Sequence, residues 1–250
     1  MGFIYLPLIS LKILNLKGSK MGKIRNKIKK IYSERKGEHF IKKSEPWSVT
    51  FVGRVLGIPL ARVFVYLNIK PNMITILTIP FAFFAGLAFF YNNLWLGASL
   101  YFISFVLDCS DGVVARLTNT TSRYGERLDY YTDIFNNIFM YFGLWYSQFY
   151  LQGMWFLGGA IIIFHYAVMA FGYIFLKKLT YRTISPRVCS YYMHADEGFL
   201  TFSIAPLTGY FYIIFPILVI LQFISYIILF FKQKEKPDIK DNIKKMLKIK

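Results

Sequence analysis

Cysteine and histidine are nearly absent from this chain, with two of the first and three of the second in 250 residues. Cys109 and Cys189 stand far apart and give no metal-ligand spacing, so no sequence-local zinc motif is present. Both are read as packing side chains without a disulfide. Acidic residues are scarce as well: 13 against 30 lysines and arginines, for a formal net charge of +17. Such an excess can mark a nucleic-acid binder, but its distribution excludes that reading. No Lys or Arg lies between Pro71 and Ala115, or between Leu128 and Leu176. All of them fall in 1–70, 116–127, 177–187 or after 231. Stretches free of lysine and arginine alternating with basic ones are the mark of a multi-pass membrane protein whose cytoplasmic segments are positive. The basic excess then meets anionic lipid headgroups.

The composition is 56% hydrophobic and 20% aromatic, in runs that a soluble domain of this size does not carry. An all-α integral membrane protein is expected, with six transmembrane helices preceded by cytoplasmic amphipathic and juxtamembrane helices. Residues 1–46 read as a basic amphipathic extension, 47–231 as the membrane domain and 232–250 as a basic cytoplasmic tail. Within the extension, Ile24, Ile28 and Ile31 recur at helical spacing among lysines, the pattern of a membrane-surface helix. Residues 1–16 lack a basic leader, which argues against a cleaved signal peptide. Trp47 to Asn68 reads as a second amphipathic segment, with Arg54 and Arg62 on nearly one face.

Lys70-Pro71-Asn72 opens the first span, since proline suits a first helical turn. It runs out to Tyr91, and Leu94 to Leu117 returns. Ser122 to Tyr150 goes out again, and Trp155 to Leu176 comes back, with Trp95, Trp145 and Trp155 near the outer ends as an aromatic belt. Lys177 to His194 is a basic loop. The apolar stretch Phe199 to Phe231, interrupted by Pro206, Thr208-Gly209 and Pro216, is expected to form a short helix and a normal one turning near Leu207 to Tyr210. Both termini then lie on the cytoplasmic side.

Against this apolar background stand four aspartates between 108 and 133, in DCSDGVVARLTNTTSRYGERLDYYTD. Charges at membrane depth are costly and mark function. Asp108 and Asp111 are three residues apart and Asp129 and Asp133 four apart, so each pair lies on one helix face. If Leu117 to Ser122 is a turn between antiparallel helices, the pairs 108 with 133 and 111 with 129 keep an almost constant sum and so share a depth. Asp108 then faces Asp133 and Asp111 faces Asp129. Carboxylates so close repel unless cations stand between them, and oxygen-only ligands suit Mg²⁺ or Mn²⁺ rather than Zn²⁺. Gly112 and Ala115 keep the helix surface low, Arg116 can hold a phosphate through paired hydrogen bonds, and Gly125 lets the turn close over the same space. Two cations beside an arginine make a phosphoryl-transfer arrangement.

The spacing Asp-x2-Asp-Gly-x2-Ala-Arg-x8-Gly-x3-Asp-x3-Asp, filled at every position, resembles the signature of the CDP-alcohol phosphotransferases. Pro71, Asn72 and Thr75 resemble the opening of that family's first membrane helix. The resemblance implies that Asp108, Asp111 and Asp129 bind two divalent metals and that Asp133 deprotonates the incoming hydroxyl. It also implies that Gly112, Ala115, Arg116 and Gly125 line the cytidine nucleotide, and that the protein is a homodimer. On this reading a CDP-linked lipid, CDP-diacylglycerol or CDP-archaeol, donates to a small polar alcohol at a cytoplasmic site and CMP is released. Transfer from CDP-choline or CDP-ethanolamine to a diacylglycerol is the alternative. A cation or proton transporter, the reading from another class, would call for repeated halves, whereas these acids sit in one hairpin.

Single residues outside the signature carry two readings each. Arg123 and Arg127 are acceptor-binding candidates or interfacial anchors. The same holds for Arg182 and Arg187, with anchoring the stronger reading. Asp196 and Glu197 suit a helix start irrespective of function, and His165 reads as an interhelical hydrogen-bond partner.

Overall fold

In the computed structural model the described residues are 45–176, 183–185, 188–189 and 194–234. The expected N-terminal surface helix, most of the 177–193 loop and nearly all of the tail lie outside them. Seven helices account for most of the described chain, numbered here α1 (Val49–Tyr66, beginning with a π-helical turn), α2 (Pro71–Phe90), α3 (Leu94–Thr118), α4 (Arg123–Trp145, extended by a π-helical turn Tyr146–Tyr150), α5 (Trp155–Leu176), α6 (His194–Phe199) and α7 (Phe211–Lys234). A two-stranded antiparallel ribbon, β1 (Thr183–Ser185) with β2 (Val188–Cys189), lies between α5 and α6.

The turns follow from local chemistry. Asn68, Asn92 and Asn119 each end a helix-to-helix step with positive φ, between 57° and 59°, a conformation asparagine tolerates better than other residues with a side chain. Pro71 occupies the first turn of α2, where its missing N–H costs no helical bond. The Asn93 side chain caps α3 by accepting from Leu96 N at 3.3 Å, and Ser122 caps α4 by accepting from Gly125 N at 3.0 Å.

Among the described residues, five helices are long and apolar enough to cross a membrane: Val49–Tyr66, Pro71–Phe90, Leu94–Thr118, Trp155–Gly172 and Phe211–Phe231. This set differs from the expected six spans in three places. Val49–Tyr66, expected as a surface helix, has the length and hydropathy of a span, and Arg54 is buried instead of facing outward. Arg123–Tyr150 is absent from the set because its aspartates, asparagines and tyrosines dilute its apolar residues. The stretch from His194 to Thr208 is also absent: it runs through α6, a π-helical turn and a 3₁₀ turn, then ends at Gly209 with φ +74°. The reversal falls where it was expected, between Leu207 and Tyr210. Pro216 interrupts nothing and lies inside α7, as membrane helices allow.

Packing is organised around α2, which lies along both α3 and α4, while α1 crosses α3 and α5 runs against α7. The two helices that carry the aspartates touch each other little through their backbones. The turn between α3 and α4 falls at 119–122, within the expected segment, but the two helices are held together chiefly through α2, with side chains reaching toward each other. The α2–α4 contact is closest at Gly86 and Gly143. A Cβ on Gly86 would stand 2.7 Å from the Phe139 carbonyl oxygen, and one on Gly143 would collide with the Gly86 carbonyl. Small residues permit this backbone approach. Polar cross-links run down the same seam. Asn136 Nδ2 donates to Thr78 Oγ1 at 3.0 Å, Thr78 Oγ1 donates to its own helix at Thr75 O at 2.7 Å, and Ser104 Oγ donates to Thr78 O at 3.3 Å. Away from the seam the core is aromatic, with Phe89, Phe149, Phe202, Phe211 and Phe215 fully buried.

Replacing Gly143 by Leu forces α2 and α4 apart. We expect a loss of about 1–3 kcal/mol, the usual cost of overpacking, read as a lowered melting temperature in detergent; an unchanged melting temperature would contradict the backbone contact.

Candidate active site

The first two aspartates sit on α3 where α1 crosses it. Gly53 and Gly57 of α1 rest on the residues between them. A Cβ on Gly53 would run into Cys109 Sγ, and one on Gly57 would meet the Cys109 backbone at 3.4 Å. Cys109 is free and buried beneath this crossing, which gives it the packing role expected from sequence. The crossing turns Asp108 and Asp111 toward the opposite side of α3, in the direction of α2 and α4.

There, ligand oxygens of Asp108, Asp111 and Asp129 lie within 4.8 Å of one another. Asp129 stands by Asp111 as expected and approaches Asp108 as well, so three carboxylates converge. Asp111 is buried and accepts a short hydrogen bond from Thr75 Oγ1 on α2, at 2.5 Å. That bond fixes the carboxylate's rotamer before any ligand arrives. Asp133 is outside the triad but within electrostatic reach of Asp108 and Asp129, and its residue surface is exposed. It therefore borders the open side of the cluster.

The small and basic residues gather around the same place. A Cβ on Gly112 would meet Arg116 Nη1 at 3.3 Å and Nη2 at 3.4 Å, so the guanidinium folds back over the glycine one turn earlier. Gly112 makes room for that posture, and Ala115 beside it is half-buried. At Gly125 a Cβ would meet Asn72 Oδ1 and Ser122 Oγ, each at 3.3 Å, which brings the opening of α2 over the start of α4. Arg123 and Arg127 are exposed on that start. Arg182 and Arg187 lie outside the described residues.

Three features escaped the sequence reading. Thr75 was noted as part of a helix opening, yet it holds Asp111. Arg54 was placed on a surface face, yet it is buried and bound by Glu45, with Nε to Oε2 at 2.9 Å and Nη2 to Oε1 at 2.5 Å. Its Nη1 also reaches the Cys109 carbonyl at 3.4 Å. Both partners of this ion pair are almost fully enclosed, and both act electrostatically on Arg116. Glu197, read as a helix-start acid, is wholly buried against His165 and His194. What sets these residues apart from surface ones is a contact with a residue distant in sequence: Thr75 with Asp111, Arg54 with the Cys109 carbonyl and Glu197 with His165 and Tyr141.

The chemistry of the carboxylate triad fits a divalent cation. It offers oxygens only, three of them converging, one already oriented by a hydroxyl from the adjoining helix, and no nitrogen or sulfur within the group. Hard cations take such ligands.

Fold and site together describe a helical protein with several helices apolar enough to cross a membrane and a cluster of acids that could hold a metal ion. Residues 68–244 match the CDP-alcohol phosphatidyltransferase family, and since this is well over half of the chain, the protein belongs to that family. No curated protein matches the chain. Membership makes it a phosphotransferase of membrane phospholipid synthesis, moving a phosphate-bearing group from a CDP-alcohol to an acceptor alcohol. The family is generally dependent on divalent metal, in keeping with the triad.

Two substitutions test the local geometry. Thr75→Val removes the bond that orients Asp111, and outer contacts of this kind commonly carry about 10–100-fold in metal affinity or activity. The Mg²⁺ concentration needed for half-maximal turnover should rise accordingly, and an unchanged Mg²⁺ dependence would remove Thr75 from the site. Glu45→Ala strands the Arg54 charge in a buried place, a change that costs about 3–5 kcal/mol. Thermal unfolding should show it as a large drop, and Glu45→Gln should lose less.

Proposed function

We propose that the protein transfers a phosphatidyl-type group from a CDP-linked lipid, CDP-diacylglycerol or its ether counterpart CDP-archaeol, to the hydroxyl of a small polar alcohol, with release of CMP. The observation that carries this reading is the convergence of Asp108, Asp111 and Asp129 in the gap between α3 and α4, with Arg116 folded over Gly112 beside them. A gap between splayed helices suits a donor whose tails stay in the bilayer while its diphosphate reaches the acids.

Asp108, Asp111 and Asp129 would hold two Mg²⁺ or Mn²⁺ ions. When bound, such ions neutralise charge on the diphosphate and on the leaving phosphate. Gly112, Ala115 and Gly125 line the nucleotide, their lack of bulk letting it lie close to the helix backbones. Arg116 holds a phosphate through its guanidinium. Asp133, on the exposed rim of the cluster, takes the proton of the acceptor hydroxyl. The oxygen so freed attacks the phosphorus distal to cytidine, the bond to the bridging oxygen breaks, and CMP departs with the electron pair. Arg123 and Arg127, exposed at the start of α4, favour an acceptor carrying negative charge, such as a phosphorylated polyol. We place this chemistry on the cytoplasmic face, where the lysines and arginines concentrate, and expect the enzyme to work as a homodimer.

Protein purified in detergent and given Mg²⁺, CDP-diacylglycerol and a panel of polar alcohols should release CMP with at least one acceptor. Silence with every donor and acceptor offered, including CDP-choline with diacylglycerol, would sink the reading. Asp133→Asn should reduce turnover by at least about 100-fold, the lower range of what a positioned base contributes. Mn²⁺ binding to the same variant should persist, and turnover near the parent's would strip Asp133 of its role as base.

A further inference from the structure

A second cluster of metal-ligating side chains lies apart from the aspartate triad. His165 on α5, His194 at the start of α6 and Glu197 one turn later place one ligand atom each within 4.8 Å of one another. The carboxylate is the centre of the group. Glu197 Oε1 accepts from Thr201 Oγ1 at 2.7 Å and from Tyr141 OH at 3.3 Å. Its other oxygen, Oε2, is buried and has no hydrogen bond, and His165 Nδ1 and His194 Nδ1 are likewise buried without a hydrogen-bond partner.

The separations are informative. Glu197 Oε2 stands 3.6 Å from His194 Nδ1 and 3.7 Å from His165 Nε2. Both are too long for hydrogen bonds. Ligands placed tetrahedrally around zinc, at about 2.0–2.1 Å from it, are about 3.3 Å apart. An oxygen and two imidazole nitrogens that surround a small gap at nearly that spacing, fully screened from solvent at Glu197 and His165, have the layout of a metal-ligand set. Nothing comparable exists at the aspartate triad, which lacks nitrogen ligands.

We propose that His165 Nε2, His194 Nδ1 and Glu197 Oε2 form a binding site for a borderline cation of the zinc class, distinct from the carboxylate site. Tyr141 OH, now 3.0 Å from His165 Nε2, would give up that contact and donate to Glu197 Oε1 alone. Three protein ligands leave a fourth tetrahedral position for water or a substrate oxygen, as zinc sites with an open position do. The ion would fasten the start of α6 to α5, and its neighbourhood borders the first site, since His194 is within electrostatic reach of Asp133. The proposal does not need Asp133 to be the base.

The test uses full-length protein with any affinity tag removed, stripped with a chelator and titrated with Co²⁺ in excess Mg²⁺, which keeps the aspartates supplied with their preferred ion. Visible ligand-field bands of a four-coordinate site should appear with one equivalent of Co²⁺ and vanish when Zn²⁺ is added. Asp108→Asn should leave them in place, whereas Glu197→Gln should weaken Co²⁺ binding at least tenfold. His194→Cys, at the partly exposed helix start where folding is least at risk, should retain the ion and add thiolate-to-cobalt charge-transfer absorption. Absence of the bands in the parent protein overturns the proposal. So does their loss in Asp108→Asn together with survival in Glu197→Gln, which would assign the ion to the aspartates. Neither negative result bears on whether the parent protein releases CMP in Mg²⁺, so the two readings fail separately.

Discussion

Like charges converging inside a membrane protein require a scaffold that holds them against their own repulsion, and here α3 is that scaffold. One side of α3 is clasped by the glycines of α1 at Cys109, while the other offers Asp108 and Asp111 to the gap shared with α4. Thr75 of α2 locks Asp111 from the flank. Because α2 contacts both aspartate-bearing helices and they scarcely contact each other, the distance across the gap is set by how α2 packs. The bare backbone contact at Gly86 and Gly143 and the Thr78–Asn136 bond fix that distance on the α4 side. Asp129 and Asp133 inherit their placement from a contact two to four turns away.

The same arrangement explains why charged residues outside the motif are buried. Arg54 projects from α1 toward the C=O of Cys109, within the stretch that separates the two α3 aspartates, and Glu45 neutralises it. Glu45 thus offsets the repulsion that Arg54 would otherwise exert on the like charge of Arg116. The cost is a fully desolvated pair whose partners depend on each other.

Much of the site was readable from the order of residues. Eight positions at fixed spacing singled out residues of which the structure brings Asp108, Asp111 and Asp129 together and sets Arg116 over Gly112, and helical periodicity alone predicted that each aspartate pair shares a face. The turn at Gly209 and the helix start at Pro71 were legible because glycine and proline restrict the backbone locally. What stayed hidden depended on partners distant in the chain. Arg54 in an apolar helix looks the same whether it snorkels to a headgroup or meets Glu45. The α4 helix reads as a span by position, but its polar face lowers its hydropathy because that face lines a site instead of lipid. The constant-sum argument placed the acids at a common height but carried no information on α2, whose packing against both helices holds them there. His194 and Glu197 share one helical turn, but an entire loop separates them from His165, so no spacing rule could unite the three.

One pair of hydrogen bonds has a bearing on how the chain assembles. Ser48 gives both its backbone N–H and its hydroxyl to Asp196 Oδ1, at 2.9 and 2.7 Å, across 148 positions of sequence. A ribosome delivers Ser48 long before Asp196 exists. Until the late segment arrives, the entrance to the Val49–Tyr66 helix lacks the acceptor that both Ser48 donors use, so that end of the bundle stays open until α6 is made.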